Sequence, residues 1–157
     1  MKVADFLSPA SALVEAHALG KAGLLTELAE RAARAVGLEA APVVTAILAR
    51  EELGSTGVGG GIAIPHARLG GIDEPYGLLA RLQRPIDFAA IDGEPVDVVF
   101  LLLSSDKPKD EQLSALACVA RTLHDPATVA RLRQAETGGD VYAAITAGGT
   151  AAQVPMA

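Results

Sequence analysis

The sequence predicts a single α/β domain, a mixed β-sheet flanked by helices, and three observations lead there. A chain of 157 residues fits one domain and can bury a sizeable core. Half of it is apolar, yet it holds only two Tyr, three Phe and no Trp, so the core must be built from Leu, Val, Ile and Ala. That composition suits helices packed on a sheet. Finally, Val98-Val99-Phe100-Leu101-Leu102-Leu103 is an unbroken apolar run, the mark of a strand covered on both faces, and helical patterns stand on either side of it.

Taken in order, Ala12 to Ala16 reads as a short extended segment. Gly20 opens a helix whose Leu24, Leu25, Leu28, Ala32 and Val36 recur at spacings of three and four, and Gly37 stops it. Pro42 suits the first turn of a second helix, with Val43, Val44, Ile47 and Leu48 facing inward and Gly54 ending it. From Gly54 to Pro65 the pattern is a glycine-rich loop leading into a short strand, Ile62-Ala63-Ile64, and then Pro65-His66. Gly77 to Leu82 is the next strand, followed by turns at Arg84-Pro85 and at Asp92-Gly93. The loops after Gly71 and near Asp92 can close hairpins, which is why a mixed sheet is expected. After the strand Val96 to Leu103, the residues Leu113, Leu116, Ala117, Ala120 and Leu123 form a helical stripe. Asp125 is an N-cap with Pro126 at the first helical position, ahead of Val129 and Leu132. A last short helix spans Asp140 to Thr146. The domain is expected to end at residue 147, with residues 148–157 as a flexible tail.

Composition also excludes. The formal charge of -6 argues against a nucleic-acid partner, because binding phosphates along a duplex needs clustered Lys and Arg. An acidic surface suits a basic protein partner but is equally common in soluble proteins at large. One cysteine, Cys118, allows no internal disulfide and no multi-cysteine metal site, and its apolar neighbours mark it as a packing residue. No basic leader precedes an apolar run at the N-terminus, and no apolar segment approaches the roughly 18 residues of a membrane span. A cytoplasmic protein is expected.

Familiar site types fail one by one. The segment Gly54-Ser55-Thr56-Gly57-Val58-Gly59-Gly60-Gly61 lacks the Gly-Lys-Ser/Thr ending of a nucleotide phosphate loop and fits G-x-G-x-x-G in no register. His17, His66 and His124 are scattered and form no metal-ligand pair, and no G-x-S-x-G elbow exists. No metal or cofactor is expected. What remains is His66 behind a β-branched run, a proline and a glycine loop. Imidazole accepts a phosphoryl group near neutral pH because a useful fraction is unprotonated, and the N–P bond stays reactive enough to pass the group on. Such transfer needs positioning and neutralisation of phosphoryl oxygens, which backbone N–H groups near Gly57, the hydroxyls of Ser55 and Thr56, and a guanidinium could supply. Arg50 stands just before the loop and Arg68 two residues past His66. Residue by residue, the same features also fit a structural histidine at a strand end, turn glycines, and an arginine compensating a helix dipole.

The stretch from Arg50 to His66, R-E-E-L-G-S-T-G-V-G-G-G-I-A-I-P-H, resembles the enzyme IIA components of the phosphotransferase system, fructose/mannitol superfamily. Within it the chain looks most like the nitrogen-related branch of stand-alone regulatory IIA proteins. The likeness extends over about residues 3 to 147, including I-D-G-E-P-V-D-V-V-F-L-L-L and the helix beyond. It implies a mixed sheet flanked by helices, and a histidine, here His66, that takes a phosphoryl group from an HPr-like phosphocarrier charged through an enzyme I. It implies that Arg50 steadies the phosphate and that Ser55 and Thr56 are the signature's hydroxyl pair. One departure stands out: members carry a second histidine near the start of the late helix, where this chain has Gln112. A glutamine amide can donate a hydrogen bond to the phosphoryl group or to His66 but cannot become cationic. His124 is no substitute, lying about 18 Å further along that helix. The output is then either regulatory, through phosphorylation-dependent binding of target proteins, or transfer to a IIB component of a sugar permease. The G-S-T-G wording and the lack of a fused IIB or membrane segment favour regulation. A binding module that has lost transfer is the third reading.

Overall fold

The computed structural model describes residues 1–15, 20–107 and 111–153, with side chains described as far as residue 147. Two 3-10 turns, Val3–Asp5 and Pro9–Ser11, lead into β1 (Ala12–Glu15), α1 (Lys21–Val36) and α2 (Ala40–Glu52). Then come β2 (Gly57–Gly59), β3 (Ile62–Ala63), β4 (His66–Leu69), β5 (Tyr76–Ile86) and β6 (Val96–Ser105), and finally α3 (Glu111–His124), α4 (Pro126–Gln134) and α5 (Gly138–Gln153). Ala16 and His17, which the sequence reading mentions, lie outside the described residues.

The strands form one six-stranded mixed sheet in the order β1-β5-β6-β3-β2, with β4 continuing the line of β3 along the same edge of β6. β1 runs parallel to β5, and β3 and β4 run parallel to β6, whereas β5–β6 and β2–β3 are antiparallel. The apolar run makes β6 the central strand. Its alternation sends Val99, Leu101 and Leu103 into one core with α1 and α2. Val98, Phe100 and Leu102 go into a second core with α3, α4, α5 and the N-terminal turns. Each fully buried Leu or Phe side chain contributes about 1.5–3 kcal/mol, so these two layers hold the sheet. Gly77 permits one close approach: a Cβ there would meet the Phe100 ring at 2.7 Å.

α1 forms as its periodicity requires, burying Leu24, Leu25, Leu28, Ala29, Ala32 and Ala33. It ends at Gly37, whose φ of 76° lets Leu38 N–H return to Ala33 O at 2.9 Å. Asp125 caps α4 by accepting from Ala127 N–H, with Pro126 in the first turn. Among the described residues, no helix is long and apolar enough to cross a membrane.

Four expectations need correcting. The glycine-rich segment is a hairpin, β2 against β3, whose tip is Gly59, Gly60 and Gly61 with φ of 100°, 68° and 82°. Arg84-Pro85 is no turn: β5 runs through it to Ile86. Proline is tolerated because the β5–β6 register slips between Arg81 and Ile86 and β1 pairs only as far as Leu82, so no ladder bond is asked of Pro85. The inward face of α3 is Ala115, Cys118, Val119 and Leu123, while Leu113 is 70% exposed and Ala117 and Ala120 face out. Alanine serves either face, and the small Ala115 and Cys118 let the helix lie close to the sheet. Finally, α5 runs past Thr146 to Gln153.

Candidate functional site

The β3–β4 line is broken at Ile64-Pro65, and the break is pinned on both sides. Ile64 N–H donates to Thr56 O at 3.0 Å, and Pro65 O accepts from Leu102 N–H at 2.9 Å. His66 opens β4 directly after this break, opposite Leu102. Its ring is half-buried, and Nδ1 lies 2.9 Å from the carbonyl oxygen of Ile64. A carbonyl oxygen only accepts, so Nδ1 carries the proton of the neutral ring and Nε2 keeps its lone pair. The main chain thus selects the tautomer and leaves Nε2 as the unprotonated nitrogen.

The pleat of β4 sorts its residues. Ala67 and Leu69 enter the α1–α2 core, so His66 and Arg68 lie on the opposite face, towards α3. There Arg68 Nε donates to Oε1 of Gln112 in the first turn of α3. Gln112, which the sequence reading expected beside the phosphoryl group or His66, thus reaches β4 through Arg68, which occupies its acceptor end.

On the other side of the break a buried polar cluster holds the segment after α2. Glu51 is only 8% exposed; its carboxylate accepts from Thr56 N–H at 2.8 Å and from Thr56 Oγ1 at 2.6 Å. Lys21 pairs with it at 2.9 Å, donates to Phe88 O at 3.0 Å, and lies 4.7 Å above the Phe88 ring. Ser55 Oγ donates to Phe88 O at 2.9 Å and accepts from Gly57 N–H at 3.0 Å. Gly57 itself packs on Ala90, where a Cβ would come within 2.8 Å of the Ala90 methyl. Ser55 Oγ, Thr56 Oγ1 and Gly57 N–H, which the sequence reading expected near a phosphate, each donate inside the protein, and Thr56 is buried, so in this structure they brace the loop. Arg50 Nη1 donates to Gly54 O at 2.9 Å, at the end of α2 beside this loop.

The hairpin tip is held independently. Arg133 grips Asp97 with Nε and Nη2 and also reaches Gly60 O at 2.6 Å. Asp92 accepts from the N–H groups of Gly60 and Glu94, which hold its carboxyl below the usual range.

Two expected bystanders stay apart. His124 ends α3 and lines an apolar groove with Val58, Ile62, Ile64 and Leu123. Cys118 is buried, and that desolvation pushes its thiol pKa up, so it is a packing residue. Among the described residues, no three His, Cys, Asp or Glu side chains gather as metal ligands. Sequence reasoning missed Glu51 and Lys21. The signal for Glu51 was available, since it continues the buried stripe Val43, Ile47 at a spacing of four, where a charge demands a partner.

Comparison with known proteins matches this arrangement to a family. The family described as "Phosphoenolpyruvate-dependent sugar phosphotransferase system, EIIA 2" matches residues 5–148. A nitrogen regulatory protein of Bradyrhizobium diazoefficiens is 40% identical over 145 residues, covering 92% of this chain and 95% of that one. A fructose-specific EIIA component of Haloferax volcanii is 34% identical over 118 residues, 75% of each chain. The crystal structure of nitrogen regulatory protein IIA-Ntr from Neisseria meningitidis superposes with a TM-score of 0.83 at 32% identity, covering 92% of this chain and 99% of that one. With a match across nearly its whole length, a shared fold and the full signature from Arg50 to His66, the chain belongs to the type 2 enzyme IIA family of the phosphoenolpyruvate-dependent sugar phosphotransferase system.

Proposed function

We propose that this chain carries a phosphoryl group on Nε2 of His66, accepting it in the cytoplasm from the phosphohistidine of an HPr-like carrier. The observation that carries the reading is the bond between His66 Nδ1 and Ile64 O, which leaves Nε2 as the nucleophile. The balance is simple. The N–P bond to the donor imidazole breaks as the bond to Nε2 forms, a PO3⁻ unit moves between the two rings, and each ring keeps its other N–H. No general base is required, so positioning and charge neutralisation supply the catalysis. Arg50 is the cation assigned to the phosphoryl oxygens from the α2 side, and release of its bond to Gly54 O would free it to turn towards them.

The output we assign is regulatory. Two negative charges on His66 alter the surface that target proteins meet, and the likeness to nitrogen regulatory proteins supports this over sugar transport. Onward transfer to a IIB component is the second reading, favoured by the 34% identity to a fructose-specific EIIA component. The experiment mixes the protein with phosphoenolpyruvate, enzyme I and an HPr-like carrier and follows an acid-labile gain of one phosphoryl group. Labelling that His66→Ala abolishes is expected. No labelling of the parent protein leaves a binding module, and rapid passage to an added fructose IIB makes it a transport component.

A further inference from the structure

We infer that Arg68, held by Gln112, is a second cation for the phosphoryl group on His66, a role that rests on the phosphoryl acceptance proposed above. Three observations converge. His66 and Arg68 alternate on β4, so both lie on the α3 face about 7 Å apart along the strand. The bond from Arg68 goes through Nε to Gln112 Oε1. Nε is the inner nitrogen of the guanidinium, and using it leaves the Nη1 and Nη2 fork for a ligand. Neither Nη makes a hydrogen bond among the described residues. A guanidinium whose inner nitrogen is tied and whose fork is unoccupied is preorganised for an oxyanion. Gln112 is suited to hold it because a neutral amide oxygen accepts the bond without cancelling the charge. A carboxylate there would also hold Arg68 but would neutralise it. Arg68 is exposed, so packing does not account for its placement, and Gln112 sits in the first turn of the helix that covers this face.

The same residue could instead dock a protein donor, and the kinetics separate the two. Phosphoryl transfer from the phosphorylated HPr-like carrier is measured at varied carrier concentration for Arg68→Ala, Arg68→Lys, Gln112→Ala, Gln112→Glu and the double alanine variant. A phosphate-facing Arg68 predicts that Arg68→Ala lowers kcat about 10- to 100-fold with KM little changed, the worth of a hydrogen bond to a charged group. Arg68→Lys restores part of it. Gln112→Ala costs less, and adding it to Arg68→Ala costs nothing more, because the amide acts through the guanidinium. Gln112→Glu keeps the tie yet lowers kcat below that of Gln112→Ala, which a merely structural tie would not do. A change confined to KM, an unchanged Arg68→Ala, additive losses, or full activity in Gln112→Glu would each overturn the assignment. If the parent protein labels on His66 and Arg68→Ala labels equally fast, only this inference fails. If the parent does not label at all, it falls together with the reading beneath it.

Discussion

Two polar arrangements flank the strand break at His66, and they are built on opposite terms. On the α2 side, Lys21, Glu51, Thr56 and Ser55 form a largely buried cluster in which the Glu51 carboxylate has three partners. On the α3 side, a single contact joins an exposed Arg68 to a half-buried Gln112. In the low dielectric of the first, an unmatched group is costly, so it fixes the loop that receives Ile64 N–H. In the second, solvent can take the place of either partner, so the contact contributes little to stability. The buried cluster sets where His66 stands, and the exposed pair stays open to solvent.

The largest effect should come from breaking the buried side. Glu51→Ala strands Lys21 and two Thr56 donors and is expected to cost about 3–5 kcal/mol, read as a lower midpoint in urea unfolding. Thr56→Val, which removes one hydroxyl donor and leaves the carboxylate its other partners, should cost about 1–2 kcal/mol in the same assay. Arg68→Ala should shift that midpoint by no more than about 0.5 kcal/mol, because an exposed side chain away from the core rarely does more. A large loss there, or a small one for Glu51→Ala, would reverse the contrast. The smallest effect lies at the hairpin tip. Asp92 has a lowered folded pKa because Gly60 and Glu94 N–H groups bond its charged form. Its contribution is present above the unfolded value of 3.8 and is lost as pH falls through the lower folded value. Amide exchange at Gly60 should therefore quicken, relative to its intrinsic rate, as the solution is acidified below that range. Asp92→Asn should remove this pH dependence.

What was legible in the sequence follows from how local each cause is. α1 could be read because leucines mark one face and Gly37 supplies a left-handed stop. β6 could be read because a strand covered on both faces must be apolar throughout. The face of α3 could not, since its stripe is mostly alanine, which packs or faces water with little preference. Pro85 misled because its tolerance depends on which neighbours stop pairing, a property of the sheet and not of the dipeptide. The signature singled out His66 and its loop as candidates, but the partners of Ser55 and Gln112 come from Phe88 and Arg68, far away in sequence.

The carbonyl of Ile64 occupies one end of the imidazole, which leaves one ring nitrogen to do chemistry. On the phosphocarrier reading proposed above, whoever delivers cargo there and whoever collects it must meet the same atom, and neither can do so while the other covers it. Visits then alternate, giving ping-pong kinetics, and an idle partner parked at the threshold is a competitive inhibitor of both.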